Sequence, residues 1–215
     1  FTQRLILEMP VLQHLRPSDH QRQSKISFDV GPSTPAHAPS VKSVGITGQM
    51  AGSRADEVIA DDVEVPNNSF TQPMRDKLSE AVKEFDAILK PNGKITFLGT
   101  PQTEQSLYLT LEERGYTTRI WTARYPDLKN NYGDRLAPKL AQRLSEELVK
   151  PKDPVDPERF SSIDLMEREA SYGRSGFSLQ FMLDTSLSDQ DRYPLKLSDL
   201  IISSVNPDHA PEKVI

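Results

Sequence analysis

Three carboxylates follow a short apolar run in the first third of the chain. The run 58–60 stops at Asp61 and Asp62, and Glu64 lies two residues further on. A continuous apolar run predicts a parallel strand that is covered on both faces, and ligands of such sheets gather at the carboxyl ends of the strands. Adjacent carboxylates at a strand end can hold magnesium and activate water. Taken alone, the pattern is equally typical of a solvated acidic loop.

An apolar strand that ends in an acidic pair is the Walker B arrangement of P-loop ATPases. In this interpretation Asp61 holds magnesium and Asp62 orients and deprotonates the attacking water. The phosphate-binding pattern G-x-x-x-x-G-K-[ST] does not occur, and the pair 93–94, Gly-Lys, begins a strand pattern where a helix is required. Because the sequence starts at Phe1 inside a helical pattern, we expect this loop to precede the chain, and the chain alone to be inactive.

A second polar loop, "GTPQTE" at 99–104, follows the next strand pattern. Thr100 or Gln102 could form a hydrogen bond with a γ-phosphate or with its attacking water, as a sensor of hydrolysis. The alternative is an ordinary turn, in which Pro101 fixes φ and Thr103 caps the following helix. Turn chemistry alone explains every residue of this loop, so the residues themselves favour the turn.

The elements that must position these loops alternate between strand and helix. Helical spacing of apolar residues and short β-rich runs predict strands over 56–61, 93–98 and 116–126, with helices over 69–90 and 103–115. We expect Asn68 or Ser69 to cap the first of these helices and Gly115 to end the second. The order predicts an α/β fold with a mostly parallel sheet and flanking crossover helices.

The flanking segments carry weaker patterns. They predict a helix over 1–15, short strands over 25–30 and 41–48 around a Pro-rich loop, a linker over 151–160, a capped helix over 161–173 and an apolar segment over 176–183. The alternation of strands and helices ends near residue 126. We therefore predict two domains, one over residues 1–126 and a smaller, helical one over residues 127–215.

Composition limits the classes of function. The chain has 215 residues, a formal net charge of -5 and no cysteine. Disulfide scaffolds, thiolate zinc sites and cysteine nucleophiles are therefore excluded. The charge does not suggest a surface coated in basic residues for nucleic acid, although a local basic stripe is compatible with it. No apolar run approaches the roughly 20 residues of a membrane span, so we expect no membrane partner.

Three sequence blocks carry a family resemblance: "ISFDVGPSTPAHAPSVKSVGITGQMAGSRADEVIADDVEVPNNS", "FLGTPQTEQSLY" and "GFSLQFML". Together they closely resemble the large terminase subunit of short-tailed, autographivirus-type bacteriophages, over almost the whole chain. The resemblance implies a DNA-packaging motor with an N-terminal P-loop ATPase domain, whose sheet is of the ASCE type, and a C-terminal nuclease domain. The chain would cover the later ATPase strands and the linker subdomain, with the Walker A loop and the nuclease outside it.

The resemblance also implies roles for particular residues. Asp61 matches the magnesium-binding Walker B residue, and Asp62 falls on the catalytic carboxylate, which is usually Glu in the family. Glu64 is the alternative general base. The family's coupling motif, which contacts the γ-phosphate, falls on Thr100 and Gln102. Its arginine finger, which acts on a neighbouring subunit, falls on Arg54.

The cofactors and partners implied in the same way are ATP and Mg²⁺, double-stranded viral DNA, the portal ring of the procapsid, the small terminase subunit and a homo-oligomeric ring. The implied location is the host cytoplasm. Two alternatives stay open. One is a metal-dependent nuclease in which Asp61, Asp62 and Glu64 share a two-metal site. The other is a module that binds portal or capsid without chemistry.

Overall fold

The computed structural model describes residues 1–34, 36–48, 50–127 and 132–187. The chain divides into two compact units, Phe1–Gly99 and Thr100–Ile215. The domain boundary predicted at residue 126 stays a prediction. In the described residues, no helix combines the length and the apolar character that a bilayer span requires.

The first unit begins with two short helices rather than the single helix predicted over 1–15. Helix α1 spans Thr2–Glu8, and a 3-10 helix spans Pro10–Leu15. Met9 between them is extended, with ψ 122°. The residue before a proline is biased away from the helical region, so Pro10 breaks the helix that the apolar spacing suggested.

The two strands that follow are much shorter than predicted. Strand β1 spans Ser27–Phe28 and pairs antiparallel with strand β2, Val41–Lys42. Side chains, more than strand pairing, organise the loop between them. Arg22 forms a salt bridge with Asp29 at 3.0 Å and donates to backbone carbonyls of 36–38, while Asp29 accepts from the Ser40 amide. Burial alone would raise the pKa of Asp29, but the hydrogen bonds from Arg22 and Ser40 outweigh burial and lower it.

The central strand–helix–strand prediction is confirmed, with shifted boundaries. Strand β3 pairs in parallel with strand β4, and Asp61 is the register partner of Leu98. Neither predicted cap is correct, because helix α3 has Thr71 at its N-cap position. The bounds are β3 Ala55–Asp61, α2 Pro66–Ser69, α3 Gln72–Ile88 and β4 Leu89–Leu98.

The β3–β4 sheet has one covered face and one open face. On the covered face Ala60 is buried, and the rings of Phe85 on α3 and Phe97 on β4 lie 5.9 Å apart. Alternation places Ile59 and Leu98 on the other face, where they are 63% and 50% exposed. The prediction that β3 is covered on both faces is therefore wrong for the described residues, in which this sheet has two strands.

In the second unit, helix α4 spans Leu107–Glu113, which is shorter than predicted. The Ser106 hydroxyl caps it by accepting from the Tyr108 amide. Gly115 has φ 90°, and the amide of Tyr116 donates to the Leu111 carbonyl. This is the Schellman arrangement, which confirms the predicted glycine end.

The third predicted strand, 116–126, is wrong. Its backbone makes isolated bridges to two different segments, at Ile120 with Leu136 and at Arg124 with Pro154. Because the partner changes within five residues, no continuous ladder forms. The segment 151–160, which was predicted as a linker, is held by the bridge between Arg124 and Pro154.

The rest of the second unit is helical. Helix α5, Pro138–Ser145, was not predicted, and helix α6, Ser162–Met182, joins the helix and the apolar segment predicted separately. The predicted cap of α6 is confirmed, because Ser161 and Asp164 form a capping box. Its direction changes at Gly173, which has φ 71° and ψ 170°. A buried cluster lies around α5, formed by Ile120, Tyr125, Tyr132, Leu136, Ala137, Leu140 and Leu144.

Candidate active site

Two exposed carboxylates lie at the carboxyl end of β3. Asp61 is the last residue of the strand, on the open face of the sheet, and Asp62 follows it; both are exposed. The amide of Asp62 donates to the Leu98 carbonyl over 2.9 Å. This hydrogen bond extends the parallel ladder by one residue and fixes the backbone between the two carboxylates.

Asp62 has an uncommon backbone conformation. Its φ of 46° lies in the left-handed region, which Asp tolerates better than most residues other than glycine. The strand ends at Asp61, and Asp62 leaves its extended conformation. Strained residues of this kind cluster at functional sites.

The donor set fits a magnesium ion. Mg²⁺ prefers oxygen ligands and is commonly held by one or two carboxylates together with waters and substrate phosphates. Asp61 and Asp62 offer such oxygens on an accessible strand end. Asp61, the last residue of the strand, is the residue that would hold the ion.

Glu64 has a different environment from the exposed pair. Its side chain is 2% exposed, and Val63 before it is 9% exposed. The following residues turn into α2, where the Val65 amide donates to the Asn68 side chain over 2.9 Å. Glu64 is therefore enclosed at the end of the sheet and does not share the accessible surface of Asp61 and Asp62.

Arg54 lies at the opposite end of β3. The strand runs from Ala55 to Asp61, which is about 20 Å at roughly 3.3 Å per residue. Its exposed guanidinium donates to the Ser53 carbonyl over 2.8 Å. The predicted alternative, an ion pair with Asp56 or Asp61, is not formed among the described residues. Arg54 therefore does not contact the carboxylate pair of its own chain.

Thr100 and Gln102 belong to the second unit. The side-chain amide of Gln102 donates to the Thr100 backbone carbonyl over 3.0 Å. Thr103 is buried, and its hydroxyl accepts from the Gln105 amide over 3.2 Å. These are local turn contacts, in agreement with the turn interpretation. The predicted cap at Thr103 is wrong, because Ser106 caps α4. A role at a γ-phosphate stays a prediction.

Within the described ranges, no group of three or more His, Cys, Asp or Glu side chains is placed to hold a metal ion. Asp61, Asp62 and Glu64 thus do not form the shared metal cluster that the nuclease alternative needs. One feature of the first unit escaped the sequence patterns: Lys42 contacts Ser53 across 11 positions of the chain. No local periodicity signals a contact of this kind.

The described residues define a mixed α/β chain with a small parallel sheet that ends in exposed carboxylates. No family model matches the chain. A curated relative, the "Terminase, large subunit" of Enterobacteria phage T3, is 52% identical to it over 219 residues. The chain is therefore homologous to a section of a large terminase subunit, and the resemblance predicted from its sequence is confirmed. The alignment covers 98% of this chain and 37% of the relative.

Proposed function

We propose that the chain is part of an ATP-hydrolysing motor subunit that moves viral DNA into a procapsid. The similarity to the large terminase subunit supports the class. The observation that carries the chemistry is the exposed pair of Asp61 and Asp62, held at the end of β3 by the Leu98 carbonyl. In this proposal residues 1–126 belong to a P-loop ATPase fold of the ASCE type, and residues 127–215 form its linker subdomain.

The two aspartates have separate roles in the proposed reaction. Asp61 ends the strand and binds the magnesium ion through its carboxylate. When bound, this ion neutralises charge that develops on the phosphates. Asp62, which follows the strand end and has a positive φ, orients the attacking water and accepts its proton. Exposure supports Asp62 over Glu64 as the base, since the Glu64 carboxylate is enclosed.

The remaining roles concern the γ-phosphate and the neighbouring subunit. Thr100 and Gln102 contact the γ-phosphate or its water, supported by the "LGTPQ" motif that follows β4 in the sequence. Arg54 serves the nucleotide of an adjacent subunit, supported by its exposure and its distance from Asp61. This role requires neighbouring copies of the subunit, and a homo-oligomeric ring is therefore part of the proposal. The further proposed partners are double-stranded DNA, the portal ring and the small subunit, in the host cytoplasm.

Site-directed variants of the full-length large subunit test this proposal. We expect Asp61→Asn and Asp62→Asn each to lower the kcat of ATP hydrolysis about 100-fold or more, the scale of general acid–base catalysis. The matched control is Asp76→Asn, which removes an exposed carboxylate from α3, away from the strand end. Both site variants retaining the parent kcat would contradict the proposal.

Glu64→Gln separates the two candidate bases. Because Glu64 is buried, its substitution should change protein stability more than kcat in protein that remains folded. A fall in kcat as large as that of Asp62→Asn, with thermal stability unchanged, would transfer the role of general base to Glu64.

A further inference from the structure

Two cations converge on Ser53 at the amino end of β3. The Lys42 ammonium donates to the Ser53 hydroxyl over 3.0 Å, and the Arg54 guanidinium donates to the carbonyl of the same residue over 2.8 Å. Both side chains are exposed. Among the described residues, neither cation forms an ion pair with a carboxylate.

Neighbouring lysines are arranged differently. Lys90 pairs with Asp56 at 2.8 Å, and Lys94 pairs with Glu57 at 3.0 Å, both on the same two strands. The chain has 31 acidic residues against 26 Lys and Arg, so carboxylates are plentiful. Two like charges that contact one serine, neither of them in an ion pair among the described residues, attract an anion.

The described residues before Ser53 hold it in place. Residues 43–48 contain a tight turn, in which the Gly48 amide donates to the Gly45 carbonyl over 2.7 Å. Closer to Ser53, Met50 is buried, and the Ser53 amide donates to the Met50 carbonyl over 3.0 Å. These contacts fix the backbone of Ser53, whose hydroxyl accepts the hydrogen bond from Lys42.

We propose that Lys42, Ser53 and Arg54 form a binding site for a phosphate group that does not belong to this subunit's own nucleotide. A lysine ammonium has three donors and a guanidinium has five, and Ser53 takes one from each, so donors remain for phosphate oxygens. Ser53 is a positioning residue. The inference deepens the proposed function, since it rests on the motor assignment and adds Lys42 and Ser53 to the role proposed for Arg54.

The phosphate has two sources in such a motor. One is the triphosphate bound by an adjacent subunit of the ring, and the other is the backbone of duplex DNA. The site lies about 20 Å from Asp61 along β3, too far to serve the nucleotide of the same subunit. The two sources share one chemistry and are separated by experiment.

The first arm measures binding of a short DNA duplex to the full-length protein without nucleotide, over a range of salt concentrations. Lys42→Gln removes the charge while its amide can still donate to Ser53, and Lys42→Arg restores the charge. The matched control is Lys77→Gln on α3, which also removes one exposed charge. If DNA is the source, Lys42→Gln weakens binding about tenfold and lowers the salt slope by about 0.9, and Lys42→Arg recovers both.

The second arm measures ATP hydrolysis by the assembled ring without DNA. If the neighbouring triphosphate is the source, Lys42→Gln lowers kcat about tenfold and leaves duplex binding unchanged. In the arm that responds, Ser53→Ala produces a smaller loss in the same direction, because it removes the acceptor that positions Lys42.

The inference would be overturned if Lys42→Gln and Lys77→Gln gave the same duplex binding and the same rate of ATP hydrolysis. The DNA arm contains no nucleotide, so its result does not depend on whether Asp61 and Asp62 carry out hydrolysis. A failure of the ATPase assignment would appear in the aspartate variants and in the second arm, and would leave the DNA arm unchanged. The two proposals therefore fail separately.

Discussion

Replacing Gly173 with alanine should destabilise the second unit through the backbone alone. Gly173 interrupts α6 with φ 71° and ψ 170°, a region that residues with a Cβ rarely occupy. A Cβ built at this position meets no atom within 4 Å, so no steric clash contributes. Holding alanine in this conformation costs about 1–3 kcal/mol.

Alanine would otherwise favour a straight helix, since it gains roughly 1 kcal/mol over glycine inside a helix. The structure opposes straightening, because Arg124 contacts both sides of the bend. Its guanidinium pairs with Glu169 at 2.5 Å and lies 4.7 Å from the centre of the Phe177 ring. A straight α6 would have to give up one of these contacts. We therefore expect the free energy of unfolding to fall by about 1–3 kcal/mol.

Urea unfolding followed by the fluorescence of Trp121, the sole tryptophan and a residue of the second unit, measures this change. The control is Gly176→Ala in the same helix, where the φ is not positive and an added Cβ lies 3.3 Å from the nearest atom, the Cβ of Tyr172. The control should change stability much less. A Gly173→Ala variant that is as stable as the parent, or more stable, would refute the bend of α6 at Gly173.

Further predictions concern two tyrosines and one carboxylate. Tyr132→Phe should lose about 1 kcal/mol, because its hydroxyl donates to the Met182 carbonyl over 2.6 Å. Tyr125→Phe should be neutral within about 0.5 kcal/mol by the same urea assay, because its buried hydroxyl has no hydrogen-bond partner in the described part of the chain. Equal losses would contradict both assignments. The lowered pKa of Asp29, which pairs with Arg22, means that its stabilisation is complete above the ordinary carboxyl pKa of 3.8 and is lost as pH falls below it. The gap in urea midpoint between the parent and Asp29→Asn should therefore shrink between about pH 6 and pH 3, and a constant gap would contradict the shift.

Local signals in the sequence located the elements around the candidate site. The apolar stripe of α3 and the β-rich runs of β3 and β4 identified a strand–helix–strand unit, and a glycine and a serine marked real helix ends at Gly115 and Ser161. These signals act over a few residues, so a single sequence contains them. Pro10 is a local signal of the same kind, since the residue before a proline is biased away from the helical region, but the predicted helix over 1–15 passed through it.

Features that depend on distant partners were missed or misjudged. Residues 116–126 alternate like a strand, and Ile120, Thr122 and Tyr125 are buried. The backbone partners of this stretch, however, belong to three separate segments, around residues 136, 154 and 181. The apolar run of β3 suggested burial on both faces, yet Ile59 is 63% exposed because the described sheet covers one face. Which surface lies over a strand is decided by tertiary contacts, which periodicity does not encode.

For the carboxylates near the end of β3, too, the sequence predicted some features and missed others. Their position at a strand end was predicted from the sequence, whereas the positive φ of Asp62 and the burial of Glu64 required coordinates. Both observations bear on which carboxylate activates water.

The role of Asp62 in activating water is tested by measuring nucleotide binding and hydrolysis separately in the Asp62→Asn variant. In the full-length protein with Mg²⁺, equilibrium binding of ATP and single-turnover hydrolysis are measured on the same preparation. We predict that the variant binds ATP within a few-fold of the parent and hydrolyses it at least about 100-fold more slowly. Hydrolysis at the parent rate, with ATP bound equally well, would contradict the assignment of Asp62 as the group that activates water.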